Sequence, residues 1–145
     1  MGGRDRAVIA VSRRYHFAAA HVLRHPSLSD AENERIYGKC ANANGHGHNY
    51  GLEVTVTGPV DPETGQLIAP ERLDELVRHH VLDRFDHRMM NEDPLFRELV
   101  PTAENIAGAV HEQLEGPLAH LARVRLLQVR IVETSRNHFD YGEMT

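Results

Sequence analysis

An α+β domain is what this sequence predicts, an antiparallel sheet with helices on one face, and three observations predict it. Apolar residues alternate with period two near both ends of the chain. Between those blocks the apolar spacing becomes helical, and turn-forming clusters separate the blocks. The resulting order is strand, strand, helix, helix, strand, strand, a run of strands bracketing a run of helices. The 145 residues suit one domain, 1–145, around one core.

The elements follow in chain order. From Ala7 to Phe17, Val8, Ile9, Val11, Tyr15 and Phe17 stand among polar residues as a first strand, which Ala18-Ala19-Ala20-His21 continues. Tyr50, Leu52, Val54 and Val56 alternate with Gly51, Glu53, Thr55 and Thr57, a strand with one apolar face that ends at Gly58-Pro59. Asp61-Pro62-Glu63-Thr64-Gly65 is a turn cluster. Leu73, Leu76, Val77, Val81 and Leu82 mark a helix from Pro70 to Phe85, with Pro70 and Glu71 suited to its first turn. A second helix begins with Thr102 as N-cap, runs on Ile106, Ala107, Val110 and Leu114, and is disrupted at Gly116-Pro117. Leu127, Val129 and Ile131 alternate within a strand from Val124 to Thr134, and His138 to Gly142 can pair back on it. A four-stranded sheet of this kind has two free edges and one bare face, which makes oligomerisation the expectation.

Composition narrows the function. A net charge of −5 argues against sequence-independent nucleic-acid binding, which needs a basic surface. The single cysteine, Cys40, excludes an intrachain disulfide. Met1 to Val11 holds no apolar run of signal-peptide or membrane-span length, and Arg6 stands where a myristoylation signal needs Ser or Thr. A soluble cytoplasmic protein is the expectation. The outlier is histidine, with 11 in the chain.

His46-Gly47-His48 places two imidazoles two residues apart, on one side of an extended backbone. His21 reaches the same spot if its strand is the neighbour. Three neutral imidazoles with an open fourth position describe a catalytic zinc site; a chance pair in a histidine-rich chain is the plainer alternative. Gly45 and Gly47 are expected to keep side chains away from the ion. His16, His25, His79, His80, His111, His120 and His138 read as ordinary surface or core histidines.

Cys40 has neighbours too polar for a core, and Lys39 with a nearby metal favours its thiolate. As a fourth ligand it closes the site; outside the shell it is free for proton chemistry. Asp86-His87 pairs a carboxylate with an imidazole, but adjacent residues do not normally face each other, and a solvated helix end is the better explanation of the pair taken alone. Glu133 shares parity with Leu127, Val129 and Ile131, so it is either a carboxylate awaiting N–H donors on the apolar side or a solvated strand end.

The runs Leu28 to Asn33, Gly38 to Tyr50, Val60 to Gly65, Leu82 to His87, Thr102 to Asn105 and Val132 to Thr134 together resemble the signature of the 6-pyruvoyl-tetrahydropterin synthase family, and the likeness spans nearly the whole chain from Arg14 onward. The resemblance implies the tunnelling fold: four antiparallel strands and two helices per subunit, trimers closing their sheets into a barrel, and two trimers stacked as a homohexamer. It implies Zn2+ on His21, His46 and His48, with Cys40 beside the shell as proton acceptor and Asp86 and His87 arriving from a neighbouring subunit. Glu133 matches the pterin anchor of the family, and Thr102 and Glu104 match a segment that lines its pocket. The implied reaction is a lyase step: triphosphate is eliminated from 7,8-dihydroneopterin triphosphate to give 6-pyruvoyl-tetrahydropterin, with no external redox cofactor. Arg14 and Lys39 are candidates for the triphosphate on charge alone. The chain departs from the family pattern at His16, where a small residue is expected, and at Ala103, where a second Thr is usual.

Two rival readings remain at this point. A 6-carboxytetrahydropterin synthase, on the way to queuosine and other deazapurines, shares the fold, zinc and substrate. Its spacer between the cysteine and the His-Gly-His is expected to be shorter than the five residues Ala41 to Gly45 here. A non-catalytic zinc-binding module needs the three histidines but neither Cys40 nor His87.

Overall fold

The structure, a computed structural model, describes residues 9–42 and 45–143. Ala7 and Val8 of the expected first strand, Ala43 and Asn44 of the cysteine-histidine block, and the N-terminal stretch read for targeting signals as far as Val8 lie outside the described residues.

Strand β1 is Ile9–His21, one continuous strand. It is followed by α1, Asp30–Tyr37, and a 3-10 turn, Gly38–Ala41. Strand β2, His46–Gly58, runs antiparallel to β1. The first long helical rod comprises α2, Pro70–Val77, a π-turn, Arg78–Leu82, and α3, Asp83–Phe85. A two-residue strand β3, Arg88–Met89, and two 3-10 turns lead to α4, Ala103–Ala119. Strands β4, Arg125–Thr134, and β5, Asn137–Gly142, close the chain as a hairpin.

The sheet has five strands in the order β3-β1-β2-β4-β5. The expectation of four antiparallel strands in the order ββααββ is therefore corrected twice. β3 pairs parallel with β1 through Ala19↔Arg88 and Ala20↔Met89, and α1 separates β1 from β2. Two residues leave no period to read, so β3 has no signature of its own.

One face of the sheet carries the core. Phe17 and Ala19 of β1, Tyr50, Leu52, Val54 and Val56 of β2, and Leu126, Val129 and Ile131 of β4 pack against Leu73, Val77, Val81 and Phe85 of the first rod and Ile106, Val110, Leu114 and Leu118 of α4. Leu73, Val77, Val81 and Phe85 recur every four residues, and a straight α-helix would carry that series about 40° further round at each step. The π-turn between Val77 and Asp83 supplies the wider turn that keeps all four on the sheet side.

Two details of the sequence reading change. Leu126 occupies the core position opposite Val56, and Leu127 is the extra residue of a β-bulge, because Thr55 pairs with Gln128 and Val56 with Leu126. Gly116-Pro117 does not stop α4, which continues through Pro117 to Ala119. A proline so near the C-terminus removes only one intrahelical bond, and Leu118, one residue beyond it, is fully buried.

The opposite face is polar, with Ser12 and Arg14 of β1 set across from Thr55 and Glu53 of β2. Among the described residues, no helix is long and apolar enough to cross a membrane.

Candidate metal centre and its surroundings

Register brings the histidines together. His21, the last residue of β1, lies opposite His46, the first of β2, and Ala19 lies opposite His48. All three rings stand on the core side, and the small Ala19 between Phe17 and His21 leaves room for them to converge. Ring centroids are 4.6 Å apart for His21 and His46, 5.1 Å for His21 and His48, and 4.8 Å for His46 and His48, with each pair edge-on. One nitrogen from each ring falls within 4.8 Å of the others.

The hydrogen bonds decide which nitrogens face inward. His21 Nδ1 donates to the carbonyl of Pro101 at 2.8 Å, which leaves Nε2 with a lone pair. That Nε2 lies 3.1 Å from Nε2 of His46. Two such atoms face each other only with a proton or a cation between them. Ligand atoms ~2.0–2.1 Å from one tetrahedral zinc lie about 3.4 Å apart, close to what is found. Burial, chiefly, lowers the pKa of His21 to about 4, with His46 and His48 adding to the effect against the Pro101 hydrogen bond. His46 is lowered as well, first by burial and then by His48, while the charge of Glu133 opposes. His21 and His46 are therefore held neutral, the form that binds metal.

This donor set is three imidazoles without a carboxylate, which suits a transition metal better than magnesium or calcium. The three histidines can hold a metal ion; among the described residues Cys40 is not a member of the cluster.

The surrounding segments are pinned to β1 just past His21. Leu23 N–H donates to the carbonyl of Cys40 at 2.6 Å, which ties the 3-10 turn to the strand end. The Asn91 side chain accepts from Val22 N–H at 2.7 Å and donates to Val22 O at 2.9 Å, as a neighbouring strand would. Asn33, buried in α1, accepts from His25 N–H at 2.8 Å and donates to the carbonyls of His25 and Leu28 at 3.2 Å, closing the loop between β1 and α1. Gly45 adopts φ +71°, and a Cβ there would come within 2.8 Å of Met89 Cε. Gly47 faces outward, away from the rings, so its smallness does not spare the ion from crowding; that expectation is corrected.

Asp86 and His87 sit at the outer edge of β1. Asp86 Oδ1 accepts from Ala18 N–H at 2.9 Å, and His87 N–H donates to Ala18 O at 2.5 Å. His87 has φ +60°, the left-handed conformation, and this turns its ring back to within 3.7 Å of Asp86 Oδ2. Adjacent residues do face each other here, contrary to the rule applied to the sequence. The His87 side chain is 82% exposed, and neither residue joins the histidine cluster within the chain.

Glu133 is the extra residue of a second bulge, since Val132 pairs with His138 and Thr134 with Asn137. Its charge acts on both His46 and Tyr50. It also lines a groove of about 560 Å³ on the polar face with Arg14, His16, Asn49, Glu53 and Arg130. Lys39, the other candidate cation, is exposed beside α1 on a different surface. Thr102 caps α4 by accepting from Asn105 N–H at 3.2 Å, one residue after the carbonyl that holds His21. Glu104 is exposed in the first turn, and Ala103 is buried.

Sequence reading missed Tyr50 as a site residue. Its alternation with polar residues marks it as core, and it is fully buried, yet its hydroxyl lies 3.2 Å from His21 Nδ1. Its parity with His46 and His48 was the available signal.

The chain is similar to known proteins in sequence and in fold. The family profile described as 6-pyruvoyl tetrahydropterin synthase matches residues 10–144. The 6-pyruvoyl tetrahydrobiopterin synthase of Homo sapiens is 39% identical over 137 residues, covering 94% of this chain and 92% of that protein. The protein of the same name from Drosophila melanogaster is 38% identical over 136 residues, covering 92% of this chain and 79% of that one. The solved structure of Caenorhabditis elegans 6-pyruvoyl tetrahydropterin synthase superposes with a TM-score of 0.87 at 38% identity, over 95% of this chain and 97% of that one.

Proposed function

The chain belongs to the 6-pyruvoyl tetrahydropterin synthase family, and from that premise we infer that it is a lyase converting 7,8-dihydroneopterin triphosphate to 6-pyruvoyl-tetrahydropterin with loss of triphosphate. The convergence of His21, His46 and His48 on one point at the end of the β1–β2 ladder carries this reading.

Zn2+ is the metal that fits three neutral imidazoles with room for substrate, and it would supply Lewis-acid polarisation of the substrate's side-chain hydroxyls. Cys40, as thiolate, takes protons from the side-chain carbons. Glu133 accepts two N–H bonds from the guanidine-like edge of the pterin and so fixes the ring face that receives a proton. Thr102 and Glu104 line the same pocket. Arg14 is the better candidate for the triphosphate, because it shares a groove with Glu133 and Lys39 does not.

The oligomer completes the site. Among the described residues, the outer edges of β1 from Ile9 to Phe17 and of β5 have no strand partner. Pairing β1 of one subunit with β5 of the next closes a trimeric barrel and removes both edges; two trimers then stack as a homohexamer. In that assembly an exposed His87, oriented by Asp86, reaches the Cys40 of a neighbour and relays its proton. A cytoplasmic location follows from a substrate and product of this kind.

The test is turnover of dihydroneopterin triphosphate together with metal analysis on wild type and Cys40→Ala. The variant is expected to keep its metal and lose about 10²–10⁴-fold in turnover, the range for a general base. Unchanged turnover overturns Cys40 as the base, and zinc binding without turnover in the wild type leaves the binding-module reading. A two-carbon aldehyde as the main co-product assigns the chain to the carboxy branch.

A further inference from the structure

Neither the metal nor the substrate reading gives the Tyr50 hydroxyl a task, although it is buried beside the three imidazoles. The ring is stacked on Phe17 at 5.1 Å and edge-on to His21 at 6.1 Å. The hydroxyl oxygen stands 3.2 Å from His21 Nδ1, the atom that is also 2.8 Å from Pro101 O.

Donor and acceptor capacity decides the direction of these bonds. A carbonyl can only accept, so Nδ1 carries the proton of His21. The Tyr50 oxygen is then a second acceptor of that proton and cannot donate to the same atom. Its own proton points elsewhere, and the negative charges of Glu133 and Cys40 act on the phenol. Burial and those two charges also keep the phenol protonated, pushing its pKa well above the ordinary value.

We propose that Tyr50 is a positioning residue for the metal ligand His21: with Pro101 O it shares the Nδ1 proton, and so holds the ring with Nε2 turned toward the ion. The proposal rests on the reading of the three histidines as a metal site. Metal-ligating histidines ordinarily have such a partner on the far nitrogen, and its loss weakens metal binding by about 10–100-fold. Pro101 remains when Tyr50 is changed, so the lower end is expected.

Tyr50→Phe removes the hydroxyl and keeps the ring that packs on Phe17. Zinc dissociation constants are measured by chelator competition on wild type and variant, with thermal midpoints of both metal-free proteins. The expected result is about tenfold weaker zinc binding with the metal-free midpoint unchanged, a pattern that lost packing does not produce. Equal zinc affinity within twofold overturns the proposal and leaves the metal reading standing. Wild type that binds no zinc overturns both. Nitrogen NMR of the imidazoles in the metal-free wild type is a check that does not depend on the variant. Protonation of His21 on Nδ1 supports the proposal, and protonation on Nε2 overturns it.

Discussion

The inner face of β2 has two ends that share a backbone and differ in chemistry. Leu52, Val54 and Val56 at one end are essentially inaccessible and pack on the helices. Beyond Tyr50 toward the start of the strand, on the same parity, His48 and His46 are half-buried and meet His21 across the ladder. The pleat delivers side chains to that face at the same spacing throughout, so the difference lies only in what it delivers. The aliphatic end supplies stability through buried apolar area. The imidazole end places polar rings in a partly buried site, where burial holds His21 and His46 neutral, a locally unfavourable arrangement that a bound metal would offset.

His48→Ala tests that division most severely. Metal affinity is expected to fall by more than the 100-fold that marks the upper range for outer-shell changes, with the metal-free unfolding midpoint unchanged or raised. A midpoint that drops as far as that of a core variant erases the distinction. Leu52→Ala is the opposite probe: a loss of about 2–5 kcal/mol in denaturant unfolding, while the folded fraction still binds metal with wild-type stoichiometry.

Acid separates the ends by window. In the metal-free protein His21 titrates at about 4 against 6.5 when unfolded. The unfolded chain takes up a proton between those values that the folded one refuses, so stability falls as pH drops from 6.5 to about 4 and then levels for this group. Asp74, at the other end, is lowered from 3.8 chiefly by the Arg13 hydrogen bond and further by Tyr15, against burial. The stability it contributes is present above 3.8 and is lost as pH falls through its lower folded value. Unfolding free energy measured against pH is expected to lose its upper segment in His21→Gln and its lower segment in Asp74→Asn. The smallest effect is expected from Tyr15→Phe, which removes a 2.8 Å bond to Asp74 and about 1 kcal/mol of stability, without touching metal binding.

Legibility followed the same contrast. The alternation of Tyr50, Leu52, Val54 and Val56 was plain, and so was the shared parity of His46 and His48. The N-cap of α4, Thr102, is readable too. Helix α1 shows no apolar stripe in the sequence, because its only buried residue is Asn33. Its capping box, Ser29 with Glu32, was the signal that remained. Cys40, Asp86, His87 and Glu133 were named from family likeness; spacing alone left each of them open.

Local pattern determines which residues share a face, because side-chain direction follows from the backbone period within a few residues. That much the chain specified unaided: the four longer strands, the two long helical segments, and a pair of imidazoles on one side of β2. Meeting His21 required the register of β1 on β2, and the bulges at Leu127 and Glu133 required the pairing of β4 with its neighbours. The left-handed turn at His87 and the carbonyl of Pro101 behind His21 came from packing of segments far apart in sequence. Such contacts are settled by the whole core at once, and no window of residues carries them.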